Sequence, residues 1–186
     1  MRFILFTCLL LITSCLPKQN KVVSAPQAMD VAVAAAVSFP DRKDVTGIPQ
    51  ELAQMMRHEL EKRNLQAEIL DESTFTDAFA SKRRSLHRAS FLSENHGGTD
   101  LLLMVEAEPR FFSLLTGRYR WTVDATISLW PPEALDETVS TVVSFPIFME
   151  FHHEKEAEVL EAASPVLQRH LGHLLDEYLS GVVAEQ

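Results

Sequence analysis

Residues 100–130, DLLLMVEAEPRFFSLLTGRYRWTVDATISLW, decide the fold, because they hold two long strand patterns joined at a single glycine. In the second half, apolar and polar side chains alternate without a break from Tyr119 to Leu129, which is typical of a strand with one buried face. The first half shows the same alternation from Leu103 onward. The segment therefore predicts a β-hairpin, and the turn at Gly117 sets which side chains of the two strands share a face.

Two registers are available to this hairpin. A two-residue loop pairs Phe112 with Trp121, but it turns the two glutamates of the first strand toward the core at a cost of several kcal/mol. A three-residue loop that ends with the glycine in the left-handed position pairs Leu114 with Arg118 and Phe111 with Trp121. It keeps every charged side chain on the solvent side, so we predict this second register.

The predicted register divides the apolar side chains near the turn. It assigns Phe111 to the core and leaves a smaller group at the tip as the candidate partner-binding site: Phe112, Leu114, Leu115, Arg118 and Arg120. A cation-π contact or an anion-accepting platform is one interpretation of this group. Packing of the apolar side chains against a neighbouring loop is the other.

Periodicity outside the hairpin predicts the remaining elements. They are a strand from residue 30, a helix over 50–63, a strand over 65–70, a less regular helix over 73–95, a strand over 138–152 and a helix over 154–183. Pro146 favours an edge position or a bulge for the last strand. Pro165 predicts either a kink in the last helix or a second helix that Ser164 caps.

The order β-α-β-α-β-β-β-α predicts the fold class. Every predicted strand has one apolar face and one polar or small face. We therefore expect an α/β (α+β) two-layer sandwich, with a mixed sheet of about five strands, helices on one face and the other face solvated.

The N-terminus, MRFILFTCLLLITSC, has the features of a secretory signal: one early arginine, an apolar run and small residues before Cys15. Its end resembles a bacterial lipobox, formed here by Ile12, Thr13, Ser14 and Cys15. The resemblance implies a signal peptide over 1–14, a lipidated Cys15 on a tether over 15–29, and one periplasmic domain over 30–186. Leu16, which follows the cysteine, implies sorting to the outer membrane.

Net charge, cysteine content and the motifs present argue against several classes of function. The chain has 186 residues, a formal charge of −9 and only two cysteines, one of them Cys8 within the signal. The negative charge argues against nucleic acid as a partner, and loss of Cys8 leaves no free thiol for catalysis. Neither a glycine-rich phosphate loop nor a nucleophile elbow is present. We expect a protein that is not an enzyme and has no cofactor, with a hydrolase as the alternative.

Two further groups are candidate ligand sites. The first could bind an anion, or be a solvated helix face with cations near its C-terminal half: Lys82, Arg83, Arg84 and Arg88. The second could bind Zn(II), or hold hydrogen-bonded histidines at the boundary of the core: His152, His153, His170 and His173.

The order of elements, the strand GGTDLLLMVE after a helix and the late helix resemble small periplasmic α/β domains of envelope-assembly lipoproteins. The lipopolysaccharide-assembly, curli-secretion and penicillin-binding-protein-activator lipoproteins are similar in architecture, and only Cys15 carries over residue by residue. The resemblance implies an outer-membrane lipoprotein that serves as an accessory or assembly factor and binds an envelope protein. The alternative is a periplasmic protein that binds an anionic lipid or glycolipid, or Zn(II).

Overall fold

The structure is a computed structural model that describes residues 28–39, 44–82, 84–115, 118–150 and 156–184. Its strands are β1 (Met29–Ser38), β2 (Val45–Gly47), β3 (Leu65–Ile69), β4 (Leu101–Leu115), β5 (Arg118–Trp130) and β6 (Val139–Met149). Its α-helices are α1 (Gln50–Glu61), α2 (Glu72–Ser81), α3 (Ser85–Asn95) and α4 (Glu156–Ala184), and a 3-10 turn covers Leu135–Glu137. The predicted signal peptide, Cys15 and most of the tether lie outside the described residues.

Local signals explain where the first helices begin and end. Pro49 precedes α1 in an extended conformation, and Asn64, with a φ of 60°, adopts the left-handed conformation just after that helix. Asp71 caps α2, since its Oδ1 accepts a hydrogen bond from the backbone N of Ser73 at 2.9 Å. The predicted start of the first helix after Pro49 is confirmed, and the Asp71 cap sets the first residue of α2.

The sheet has six strands in the order β2-β1-β4-β5-β6, and β3 also pairs with β1. The β1 strand is parallel to β3 and β4, whereas the other neighbours are antiparallel. Because β6 lies at the edge, Pro146 sits where a missing backbone N–H is tolerated, and the predicted edge position is confirmed.

Helices α1 and α4 cover one face of the sheet, which we call the inner face. Its core contains β-strand residues such as Val33, Leu103 and Ile127, packed against Met56 of α1 and Leu171 of α4. The predicted two-layer α/β sandwich is confirmed, with the sheet as one layer and these two helices as the other.

The opposite or outer face is not fully solvated, in contrast to the expectation from the sequence. It is covered at one end, because α2 and α3 pack Phe75, Phe79 and Leu92 against a row that includes Ala34 and Met104. The small alanines of β1 let the helices approach closely. The single helix predicted over 73–95 is two helices, α2 ending at Ser81 and α3 beginning at Ser85. The added strand β2 raises the number of strands from about five to six.

Another expectation concerns Pro165 in α4, and a contact of Trp130 shows how α3 is anchored. Pro165 lies inside one continuous helix, and Ser164 Oγ donates to the carbonyl of Leu160 at 3.4 Å, so no second helix starts there. Trp130 is fully buried, and its Nε1–H donates to Ser93 Oγ at 3.0 Å, which ties α3 to β5. None of the described helices is both long and apolar enough to cross a membrane.

The β4–β5 hairpin combines the two registers that the sequence allows. Phe111 pairs with Trp121 as predicted, but Leu114 pairs with Tyr119, so the predicted pairing of Leu114 with Arg118 is wrong. The register shifts between Phe111 and Ser113. A bulge at Phe112 takes up the extra residue that the prediction assigned to the loop, and the charged side chains nearer the core stay on the outer face.

Candidate functional site

The part of the outer face that α2 and α3 leave uncovered contains a groove of about 610 Å³. Its floor is formed by outward side chains of β4 and β5, one wall by the end of α2 and the start of α3, and the opposite rim by Val142 of β6. We call this concavity the outer-face groove. The sequence predicted the polar floor, but it did not predict that α2, α3 and β6 would surround it.

An ion pair between Arg88 and Glu106 forms one wall of the groove. The two side chains are only 13% and 11% exposed, and Ser85 Oγ donates to the second carboxylate oxygen at 2.6 Å. Arg88 Nε also donates to the carbonyl of Lys82 at 2.7 Å, and its guanidinium lies 5.3 Å from the ring centroid of Phe79. Arg88 therefore joins α2, α3 and β4, and its charge is used within the protein.

The other members of the predicted anion-binding group differ in their surroundings. Lys82 Nζ lies 4.9 Å from the ring centroid of Phe91, Arg84 is exposed, and Arg83 lies outside the described residues. Among the described members of this group, Arg88 is held in an internal ion pair with Glu106. Anion binding by the group stays a prediction.

The floor of the groove carries a second charged group. Glu108 and Asp124 lie opposite each other on β4 and β5, and Arg110 contacts both carboxylates, with its Nε 3.4 Å from Glu108 Oε1. Their side chains are between 30% and 50% exposed. The predicted outward orientation of these residues is confirmed by their register, and Glu108 and Asp124 line the groove.

The hairpin end of the outer face holds an exposed aromatic group. Phe112 is 63% exposed and Phe148 of β6 is 53% exposed. Arg120 pairs with Phe148 in the register, and its guanidinium lies 4.6 Å from the ring centroid of Phe112. The cation-π contact that the sequence suggested is confirmed. We call Phe112, Arg120 and Phe148 the aromatic patch.

The structure describes only some of the remaining residues near the hairpin tip. Arg118 is exposed, with its Nη2 4.0 Å from Glu150, and the side chains of Leu114 and Leu115 lie outside the described part. Phe111 contacts the rings of Tyr119 and Trp121 on the inner side but is 45% exposed, so its predicted assignment to the core is wrong. It lies outside the cluster that α4 covers, which explains its exposure.

Phe148 was missed by sequence reasoning, although a signal was present. The inward positions of β6 are odd-numbered, and the even-numbered outward positions include Val142 and Phe148 beside serines. The outward position of Phe148, on the same side of the sheet as Arg120, was the signal for this residue.

The histidines do not form a metal centre in the described residues. His170 is partly buried and His173 is exposed on α4, whereas His152 and His153 lie outside the described part. Across residues 28–150 and 156–184, apart from the short gaps, no three His, Cys, Asp or Glu side chains are grouped closely enough to hold a metal ion.

No known family model and no curated protein matches this chain. Its structural neighbours include bacterial lipoproteins. Lipoprotein GNA1162 from Neisseria meningitidis is 15% identical over 76% of this chain and 99% of that chain, with a TM-score of 0.44. A minor lipoprotein from Acinetobacter baumannii is 10% identical over 85% and 92%, with a TM-score of 0.33. Rare lipoprotein B from Shewanella oneidensis is 11% identical over 84% and 95%, with a TM-score of 0.29. No residue role is transferred from these proteins.

Proposed function

We propose that the protein is a non-enzymatic lipoprotein, anchored in the outer membrane through Cys15, that binds an envelope protein as an accessory or assembly factor. The contact surface is the aromatic patch on the outer face. The observation that carries this proposal is the exposure of Phe112 and Phe148 on either side of Arg120, on a sheet face that no described helix covers at that end.

The chemistry of the patch suits protein recognition. Aromatic and arginine side chains contribute most of the binding energy in many protein interfaces, because they bury a large area with few rotatable bonds.

The patch lies far from the point at which the tether enters the domain. Val31 near the start of β1 pairs with Leu101, the first residue of β4, while the hairpin tip follows the last residue of that 15-residue strand. At about 3.3 Å per residue, Phe112 lies roughly 36 Å from Leu101 along β4. A domain held at one end by a lipid would thus present the patch away from its own membrane.

The anchor is tested with Cys15→Ser, which should abolish incorporation of labelled fatty acid and release the protein from the outer-membrane fraction. Each buried CH2 group of the acyl chains contributes about 0.8 kcal/mol, so loss of the chains removes the anchor. The matched control is Cys8→Ser, which should keep both the label and the membrane fraction. Retention of the label by Cys15→Ser would contradict the proposed lipidation.

The contact surface is tested by cross-linking in cells from a photoreactive residue at Arg118, which is 62% exposed. The double variant Phe112→Ser/Phe148→Ser should reduce the main cross-linked partner by about tenfold or more, because each lost anchor weakens binding by roughly 1 kcal/mol or more. The stability of the variant should change by only about 1 kcal/mol, since both side chains are exposed.

Leu86→Ser is the matched control, because Leu86 is another large apolar residue, 61% exposed, on α3. It should leave the cross-linked partner unchanged. Equal capture by the wild type and the patch variant would show that the patch is not the contact surface.

A further inference from the structure

We propose that the outer-face groove binds a lysine or arginine side chain of the partner, so that the segment docking on this face is basic as well as apolar. This inference rests on the proposed function and specifies the chemistry of its partner. It is carried by the charge of the groove, by its continuity with the aromatic patch and by the exposed rim.

Charge selects a cation over an anion. Four carboxylates, those of Asp44, Glu106, Glu108 and Asp124, face the groove, and two guanidiniums, Arg88 and Arg110, offset them. Among the described residues of the groove, the formal excess is two negative charges. The Arg88–Glu106 pair is internal, whereas the carboxylates of Glu108 and Asp124 share one guanidinium, that of Arg110, and Asp44 is exposed. A lysine ammonium or an arginine guanidinium would supply the second positive charge that Glu108 and Asp124 together lack.

The rim suits the aliphatic part of such a side chain. Val142 is 75% exposed at the groove, and Ala80 and Ala125 also line it. The methylene groups of lysine or arginine cover apolar surface of this kind while the charged end reaches carboxylates. A metal ion is a poorer occupant, because the described residues contain no group of three candidate ligands in one place.

The groove and the aromatic patch belong to one surface. Asp124 and Arg120 are both outward residues of β5, separated by Thr122. Four residues along a strand span about 13 Å, so an extended partner segment of about five residues reaches both sites. Its basic residue would enter the groove and its apolar residue would contact Phe112 or Phe148.

The groove is tested with a fluorescent pentalysine peptide titrated against the full chain in detergent, with pentaglutamate as the reverse-charge probe. Pentalysine should bind and pentaglutamate should not. The variant Glu108→Gln/Asp124→Asn should weaken pentalysine binding about fivefold, as expected for two lost partly exposed ion pairs. The control Glu161→Gln/Glu177→Gln removes two exposed carboxylates from α4 and should change the affinity by less than about twofold, because those charges are remote and screened.

A second variant, at an exposed position where a substitution should not disturb folding, tests the same groove. Val142→Lys changes an exposed residue, adds a cation at the rim and should also weaken pentalysine binding about fivefold by repulsion. Absence of pentalysine binding, or equal weakening by the groove and α4 double variants, would overturn the inference.

The outcome is separable from that of the proposed function. The patch variant Phe112→Ser/Phe148→Ser should keep pentalysine binding within about twofold, because pentalysine reports on the groove charges alone. Partner cross-linking that depends on the patch, together with no binding of pentalysine, would leave the proposed function standing and remove the basic partner.

Discussion

Replacing Arg88 by alanine should lower the free energy of unfolding by about 3–5 kcal/mol, because it leaves a nearly buried carboxylate without its counter-charge. Glu106 is 11% exposed and has Arg88 as its cationic partner. The same substitution removes the donors to the carbonyls of Phe79 and Lys82, where α2 ends. Urea denaturation followed by circular dichroism measures the loss.

Two controls separate the ion pair from a general effect of charge. Arg84→Ala removes an exposed arginine four positions earlier and should change the unfolding free energy by at most about 0.5 kcal/mol. Arg88→Met with Glu106→Gln removes both charges, and it should recover a large part of the loss because no unpaired buried ion remains. A double variant as unstable as Arg88→Ala would show that packing, and not the pair, is responsible.

The sequence predicted most of the sheet because burial is asymmetric along each long strand. The alternation from Tyr119 to Leu129 places apolar residues toward α4, and the structure follows it residue by residue. It did not reveal β2, whose three residues are too few for a periodic signal and whose place is set by pairing with Ala36–Ser38. The length of a segment therefore limits what its pattern can specify.

The candidate site was predicted only in part, for a related reason. Phe112 and Arg120 are close in sequence, so their contact followed from the hairpin pattern. The groove combines β4 and β5 with Ser85 and Val142, which only tertiary packing brings together. The bulge at Phe112 was missed because pairing alone does not show whether an extra residue lies in the loop or in the strand.

The second large effect on stability is expected at the hydrogen-bond network of Glu59 and Arg63, which joins α1 to α4. Glu59 is 5% exposed, and its carboxylate accepts hydrogen bonds from Gln168 Nε2 at 2.6 Å, Lys62 Nζ at 2.5 Å and Arg63 Nη1 at 2.9 Å. Arg63 also donates to the carbonyl of Gly172 at 3.2 Å and to Asp176 at 2.7 Å. Burial raises the pKa of Glu59, but the hydrogen bonds from Gln168, Lys62 and Arg63 outweigh it and lower the pKa from 4.5 to about 2.

Because the pKa of Glu59 is lowered on folding, the free energy of unfolding depends on pH between about pH 4.5 and pH 2. A carboxyl whose folded pKa lies below its unfolded pKa stabilises the fold fully above the unfolded value, and this contribution disappears as the pH falls through the folded value. We therefore expect wild-type stability to decline from about pH 4.5 to about pH 2. Glu59→Gln should be less stable than the wild type by about 3 kcal/mol at pH 7, and the difference should close near pH 2.

Asp176→Asn is the control for this prediction. The Arg63 hydrogen bond lowers the pKa of Asp176 as well, but that side chain is 64% exposed, so solvent screens the pair and the substitution should cost at most about 1 kcal/mol. Urea denaturation at several pH values between 2 and 7 measures both variants. A Glu59→Gln difference that stayed constant over this range would mean that Glu59 stabilises the helix pair by shape and hydrogen bonding, independently of its charge.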